Sequence, residues 1–233
     1  VKNYNYNWNL QLYTNIAAFN LGHTPRTLSG LNWVFETVEH AIILEDDDVP
    51  TIDFFRFCDE LLNKYKDDTR IAQISGCTAF EPNDARHTYR FSKLANWWGW
   101  ATWRRSWLGF QASMNRWPEF NEKEILNDMP FTDSQRRYFS TVFQAMYEGQ
   151  LPNALDQRWF FHMFCENTVS AISNKNLVSN IGIGHPDSTH PYMAPIDVTT
   201  TSRLIWPIKH PEIFMPDAKL DRDILHFSNF EIN

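Results

Sequence analysis

The chain has 233 residues, enough for one sizeable hydrophobic core without disulfide support. Hydrophobic residues make up 43% and charged ones 21%, which excludes a disordered or fibrous chain. A net charge of −7 excludes a surface built to coat phosphate backbones, so no nucleic acid partner is expected.

The first pattern in chain order is the alternation over Leu10–Tyr13, which predicts a strand, with a turn at Asn20-Leu21-Gly22. Thr24 reads as an N-cap with Pro25 at the first helical position, and Leu28, Leu31, Val34, Phe35 and Val38 follow at helical spacing, predicting a helix over 24–38. Ala41 to Leu44 is short and apolar on all sides, as for a strand buried between two helical layers. It ends in Glu45-Asp46-Asp47-Asp48. Pro50 and Thr51 open a second helix with Phe54, Phe55, Cys58, Leu61, Leu62 and Tyr65 on one face, ahead of a strand near 70–75. This order predicts a parallel α/β sheet.

Beyond Gly76 the pattern loosens into a tryptophan-rich stretch, for which loops and short elements are expected. Helices are predicted over 133–148 and from about Asp156, strands over 169–172 and 177–181, and a proline-rich tail from Pro191 that wraps the surface. No apolar run approaches the ~20 residues that span a bilayer, so no transmembrane segment is expected. Cys58, Cys77 and Cys165 lack CxxC or zinc-like spacing and read as core residues of a protein in a reducing compartment. With no export leader in view, the expected location is cytoplasmic. The chain starts at Val1, without an initiator Met, and reads as a piece of a longer protein.

The acidic run carries the strongest chemical signal, because ligands of open α/β sheets collect beyond the carboxyl ends of the strands. Crowded carboxylates repel one another unless a cation lies between them, and Mg²⁺ or Mn²⁺ takes oxygen ligands and phosphates. A metal-bridged diphosphate satisfies this pattern; a solvated turn that caps the next helix is the plainer alternative. Trp97, Trp98, Trp100, Trp103 and Trp107 form an aromatic cluster whose indole faces suit sugar C–H faces, although an ordinary core explains most of them. Gly99 among them would let a ligand approach the backbone. Asp156 stands at a helix start, where it is a cap or, beside an acceptor hydroxyl, a general base. His185 and His190 lie in a glycine-containing stretch, where a neutral imidazole could complete a metal shell.

Taken in order, several segments resemble the bacterial nucleotide-diphospho-sugar transferases of the GT-A glycosyltransferase fold. They are Asn20-Leu21-Gly22, the 30–36 segment GLNWVFE, AIILEDDDVP over 41–50, Phe54 to Cys58, Ile74-Ser75-Gly76, WGWATWRRSW over 98–107, Trp117-Pro118, Asp156 to Trp159, NLVSNIGIG over 176–184 and Thr189-His190. The match runs over residues 20–190 and is more distantly similar to Golgi N-acetylglucosaminyltransferases. The resemblance implies one domain over 1–233 with a three-layer sandwich and a mostly parallel sheet, truncated at the N-terminus. Within it, 1–80 would be the remnant of the nucleotide-binding half, 81–195 the acceptor and catalytic half, and 196–233 a tail.

It further implies a metal-dependent, inverting transfer from a nucleotide-diphosphate sugar, most simply a UDP-sugar, to a hydroxyl of a glycan or other acceptor. Asn20, Gly22, Arg26, Glu45, Asp46, Trp98 and Gly99 would bind the donor. Trp100 and Trp103 would contact the acceptor, Asp47 and His190 would hold Mn²⁺ or Mg²⁺, and Asp156 would be the base. Two other classes remain: a non-catalytic carbohydrate-binding fragment, and a glycoside hydrolase with Glu45 and Asp156 as its paired acids.

Overall fold

The computed structural model describes residues 10–83, 86–110, 112–152, 154–183 and 198–227. Residues 10–13, expected as a strand, have no regular structure, and Leu10, Leu12 and Tyr13 are exposed without a partner strand to cover them. Gly22, at φ 77°, turns the chain into helix α1 (His23–Phe35). Thr24 lies inside its first turn and is not the cap, and the helix stops at Phe35, leaving Val38 exposed.

Strand β1 (His40–Ile43) leads through the acidic turn into a short strand β2 (Asp48–Pro50). Thr51 then caps helix α2 (Ile52–Lys64) by accepting the Phe54 N–H on its hydroxyl, as its sequence suggests. Strand β3 (Ile71–Ser75) is buried along its whole length. The stretch expected to be loops holds two strands, β4 (Tyr89–Ser92) and β5 (Trp100–Trp103), and a short helix α3 (Arg104–Gly109). Helix α4 (Trp117–Glu122) precedes α5 (Asp133–Tyr147), which opens with a capping box between Thr132 and Gln135. Helix α6 (Leu155–Cys165), strands β6 (Val169–Ser173) and β7 (Val178–Asn180), and helix α7 (Ala218–Phe227) complete the order. The tail therefore carries a helix that its prolines concealed.

The main sheet has the order β1-β5-β3-β6-β4, and β2 and β7 form a separate antiparallel ribbon. Only the β3–β6 ladder is parallel; β1–β5, β3–β5 and β4–β6 are antiparallel. The expectation of a mostly parallel sheet is corrected accordingly. Strands β1, β3 and β6 run one way, but β5, from the tryptophan stretch, inserts between β1 and β3 in the opposite sense. This also places β1 at an edge, and its residues are half-buried or exposed rather than enclosed.

Helices cover both faces of this mixed α/β sheet. On one face α2 packs Phe54, Phe57, Cys58 and Leu61 against Ile71, Ile74, Ala101, Trp103 and Ala171. On the other, α1, α5 and α6 bring Phe35, Phe139, Phe143 and Trp159 against Ala72 and Trp100. The cysteines are free, Cys58 and Cys77 buried and Cys165 half-buried. No helix among the described residues is long and apolar enough to cross a membrane.

Candidate active site

Strand direction decides which groups can meet. Because β1, β3 and β6 run the same way, their carboxyl ends share one rim. The acidic turn follows β1 at that rim. The Trp97–Gly99 segment lies there too, since Trp100, the first residue of β5, pairs with both Ile43 and Ser75. Helix α6 runs back along the sheet before β6 begins, so its first turn, with Asp156, stands at the same rim.

Inside the acidic turn the four carboxylates are not equivalent. Asp48 Oδ2 accepts the Glu45 N–H at 3.0 Å and the Gly99 N–H at 2.9 Å. Its other oxygen, Oδ1, is buried and has no partner. Burial is the main reason that Asp48 holds its proton more tightly than an ordinary carboxylate. Glu45 shifts the same way, first through burial and then through the Asp48 charge, while His23, 3.8 Å away, opposes the shift. Asp47 accepts the Asn180 side-chain N–H at 3.1 Å, and its backbone carbonyl accepts the Ile181 N–H. Gly182 is packed against it so closely that a Cβ there would stand 2.1 Å from Asp47 Oδ2. Asp46 is exposed.

Gly99 is fixed by two requirements. It sits at φ 63°, and an added Cβ would lie 2.4 Å from Val178 Cγ2. Its neighbour Trp98 is half-buried. Trp97 packs edge-on to Trp159, ring centroids 6.3 Å apart, and Trp159 is one helical turn beyond Asp156. A continuous path therefore joins the acidic turn, through Asp48 and Gly99, to the first turn of α6. On that turn Asp156 Oδ2 accepts the Gln157 side-chain N–H at 3.3 Å. Gln157 Oε1 and Trp97 Nε1 are buried and unpartnered.

The remaining expected residues are dispersed. Trp100 and Trp103 are both core side chains, 1% and 3% exposed, on opposite faces of the sheet. Trp103 donates its indole N–H to the Leu62 carbonyl. Asn20 accepts the Gly22 N–H and shapes the entry to α1, so both act locally on the backbone. Arg26 is engaged by the side chain and carbonyl of Asn15. His190 lies outside the described residues, as does His185. Asp48 is the residue the sequence undervalued. Its one visible signal is the Asp48-Val49-Pro50 run, short enough to pair as β2.

Among the described residues no three His, Cys, Asp or Glu side chains converge as a closed metal site. No protein-family model matches the chain, and no curated protein matches it.

Proposed function

We propose that the chain is the core of a glycosyltransferase that moves a sugar from a nucleotide-diphosphate donor to an acceptor hydroxyl. The Asp48–Gly99 hydrogen bond, which ties the acidic turn to the tryptophan segment beside α6, is the observation that carries this reading. The GT-A identity, the UDP-sugar donor and the divalent ion all belong to the same proposal.

The orphaned Asp48 Oδ1 and the raised proton affinities of Glu45 and Asp48 describe carboxylates with too little positive charge around them. That donor set fits Mn²⁺ or Mg²⁺ held by one or two carboxylates, Asp47 and Asp48, with phosphate and water oxygens as the other ligands. Bound there, the ion would neutralise the charge that develops on the departing diphosphate. Glu45 and the exposed Asp46 then face the ribose and sugar hydroxyls as acceptors. Gly99 brings its backbone within reach of the donor, and half-buried Trp98 supplies an apolar wall for the sugar. Asp156, oriented by the Gln157 amide, accepts the proton of the attacking hydroxyl. Attack on the face opposite the leaving diphosphate inverts the anomeric centre.

Calorimetry of this chain with UDP and Mn²⁺ tests the donor site. Saturable, Mn²⁺-dependent binding supports it. Absence of binding ends the donor reading. Glycan binding with no transfer or donor hydrolysis would favour the carbohydrate-binding alternative.

A further inference from the structure

Two cavities lie side by side at the β4 edge of the sheet, and no residue of the acidic turn or of the first turn of α6 lines either one. The sheet order sets β4 and β1 at opposite edges, four strand spacings of about 4.8 Å apart, so the cavities stand roughly 19 Å across the sheet from the acidic turn. The larger measures about 720 Å³ and the smaller about 440 Å³. Arg86, His87, Arg90 and Asp217 line both and form the ridge between them.

Charge around the larger cavity is unevenly satisfied. Glu81 accepts from Lys175 at 2.7 Å and from the Asn176 N–H at 2.8 Å. Asp217 accepts from Arg90 at 3.3 Å and from the N–H groups of Lys219 and Leu220, so it already caps α7. Asp223 pairs with Lys219. Arg90 is committed further to Asn174 and to the Phe80 carbonyl. The Arg86 and His87 side chains have no hydrogen-bond or ion-pair partner among the described residues. Among the described residues, then, nothing balances the Arg86 guanidinium, which borders a ligand-sized cavity in a protein whose net charge is −7.

A guanidinium matches a carboxylate or phosphate with two parallel N–H donors. Exposed Asn83 adds an amide, and Phe80 and Pro82 add apolar surface of the kind that sugar C–H faces cover. We propose that this cavity binds a small sugar acid or sugar phosphate, with its oxyanion on Arg86, His87 beside it and its hydroxyls toward Asn83. The site is independent of the transferase reading.

Calorimetry of the whole chain with glucuronate, glucose 6-phosphate and neutral methyl glucoside tests the assignment. At least one charged sugar should bind saturably, and the one that does identifies the oxyanion. Arg86→Glu should weaken that binding at least tenfold, and His87→Ala should weaken it less. Arg86 is exposed, so Arg86→Glu should keep the wild-type melting temperature. No saturable binding of either charged sugar, equal binding of methyl glucoside, or charged-sugar binding that ignores Arg86→Glu would overturn the proposal.

Discussion

Gly99 donates its backbone N–H to Asp48 Oδ2 at 2.9 Å, and this bond fastens the start of β5 to the acidic turn after β1. Gly99→Ala meets two obstacles there: a positive φ of 63° and a Cβ 2.4 Å from Val178 Cγ2. Strain and overpacking together should destabilise the fold by about 2–4 kcal/mol. Pairing it with Val178→Ala removes the two closest methyls but leaves the residue-178 Cβ at 3.0 Å and the backbone cost, so the double variant should recover only part of the loss. Urea denaturation of the single and double variants checks this. A Gly99→Ala protein as stable as wild type would contradict the geometry.

Glu45 and Asp48 both hold their protons more tightly than ordinary carboxylates, chiefly because they are buried. Acids shifted this way contribute stability that is present at low pH and lost as pH rises through their raised values. The proposed cation would compete with those protons, so if UDP with Mn²⁺ binds at the turn, the melting-temperature increase it produces should be larger at pH 8 than at pH 5. At a ligand concentration one hundred times Kd the stabilisation should reach about 2.7 kcal/mol. Asp48→Asn keeps an acceptor oxygen for the Glu45 and Gly99 N–H groups but removes the charge. It should weaken binding at least tenfold and flatten the pH dependence. A ligand-induced shift that shrinks from pH 5 to pH 8 would count against the cation site.

Asp156 and Gln157 stand together on the first turn of α6, joined at 3.3 Å. If Asp156 takes the acceptor proton, Asp156→Asn should lower kcat by about 10²–10⁴-fold and leave Kd for UDP with Mn²⁺ unchanged. Asparagine is close in shape to aspartate, so α6 should fold as before, and circular dichroism would verify that. Loss of donor binding with unaltered spectra would assign Asp156 to the donor site instead.

What could be read from the residues depended on whether a local rule decided the outcome. The Thr51 cap and apolar stripe of α2, the helical spacing of α5 and the apolar runs of β3 and β6 were legible because short-range chemistry determines them. Strand β5 was hidden because its Trp100 and Trp103 serve different cores, so no alternation of polar and apolar residues marks it. Its insertion, together with β4 lying antiparallel to β6, is why the sheet is mixed, and no sequence window contains these long-range pairings. The acidic turn was visible as charge, but its internal division was not. Whether Asp47 or Asp48 has a free oxygen depends on Asn180 and Gly99, which reach the turn only through the folded rim.

Helix α7 depends on one buried acid. Asp221, 0% exposed, accepts the Ser92 hydroxyl and the Lys93 N–H, and these bonds hold the C-terminal helix against β4. Burial is the leading cause that pushes its carboxyl up to about 6 from 3.8, against the pull of those donors, with Asp217 adding to the rise and Lys93 opposing it. The folded protein therefore keeps a proton on Asp221 that the unfolded chain releases. The resulting stability is fully present below about pH 4 and lost as pH rises through about 6. A difference of 6 − 3.8, about 2 pH units, corresponds to about 3 kcal/mol. Asp221→Asn removes the titration while retaining an acceptor, so the wild-type stability minus the variant's should fall by about that amount between pH 4 and pH 8. Urea melts of both proteins across this range measure the difference directly, and other titrating groups cancel in it. A flat difference would mean that Asp221 is ionised in the native state, with its charge balanced by something other than Ser92 and Lys93.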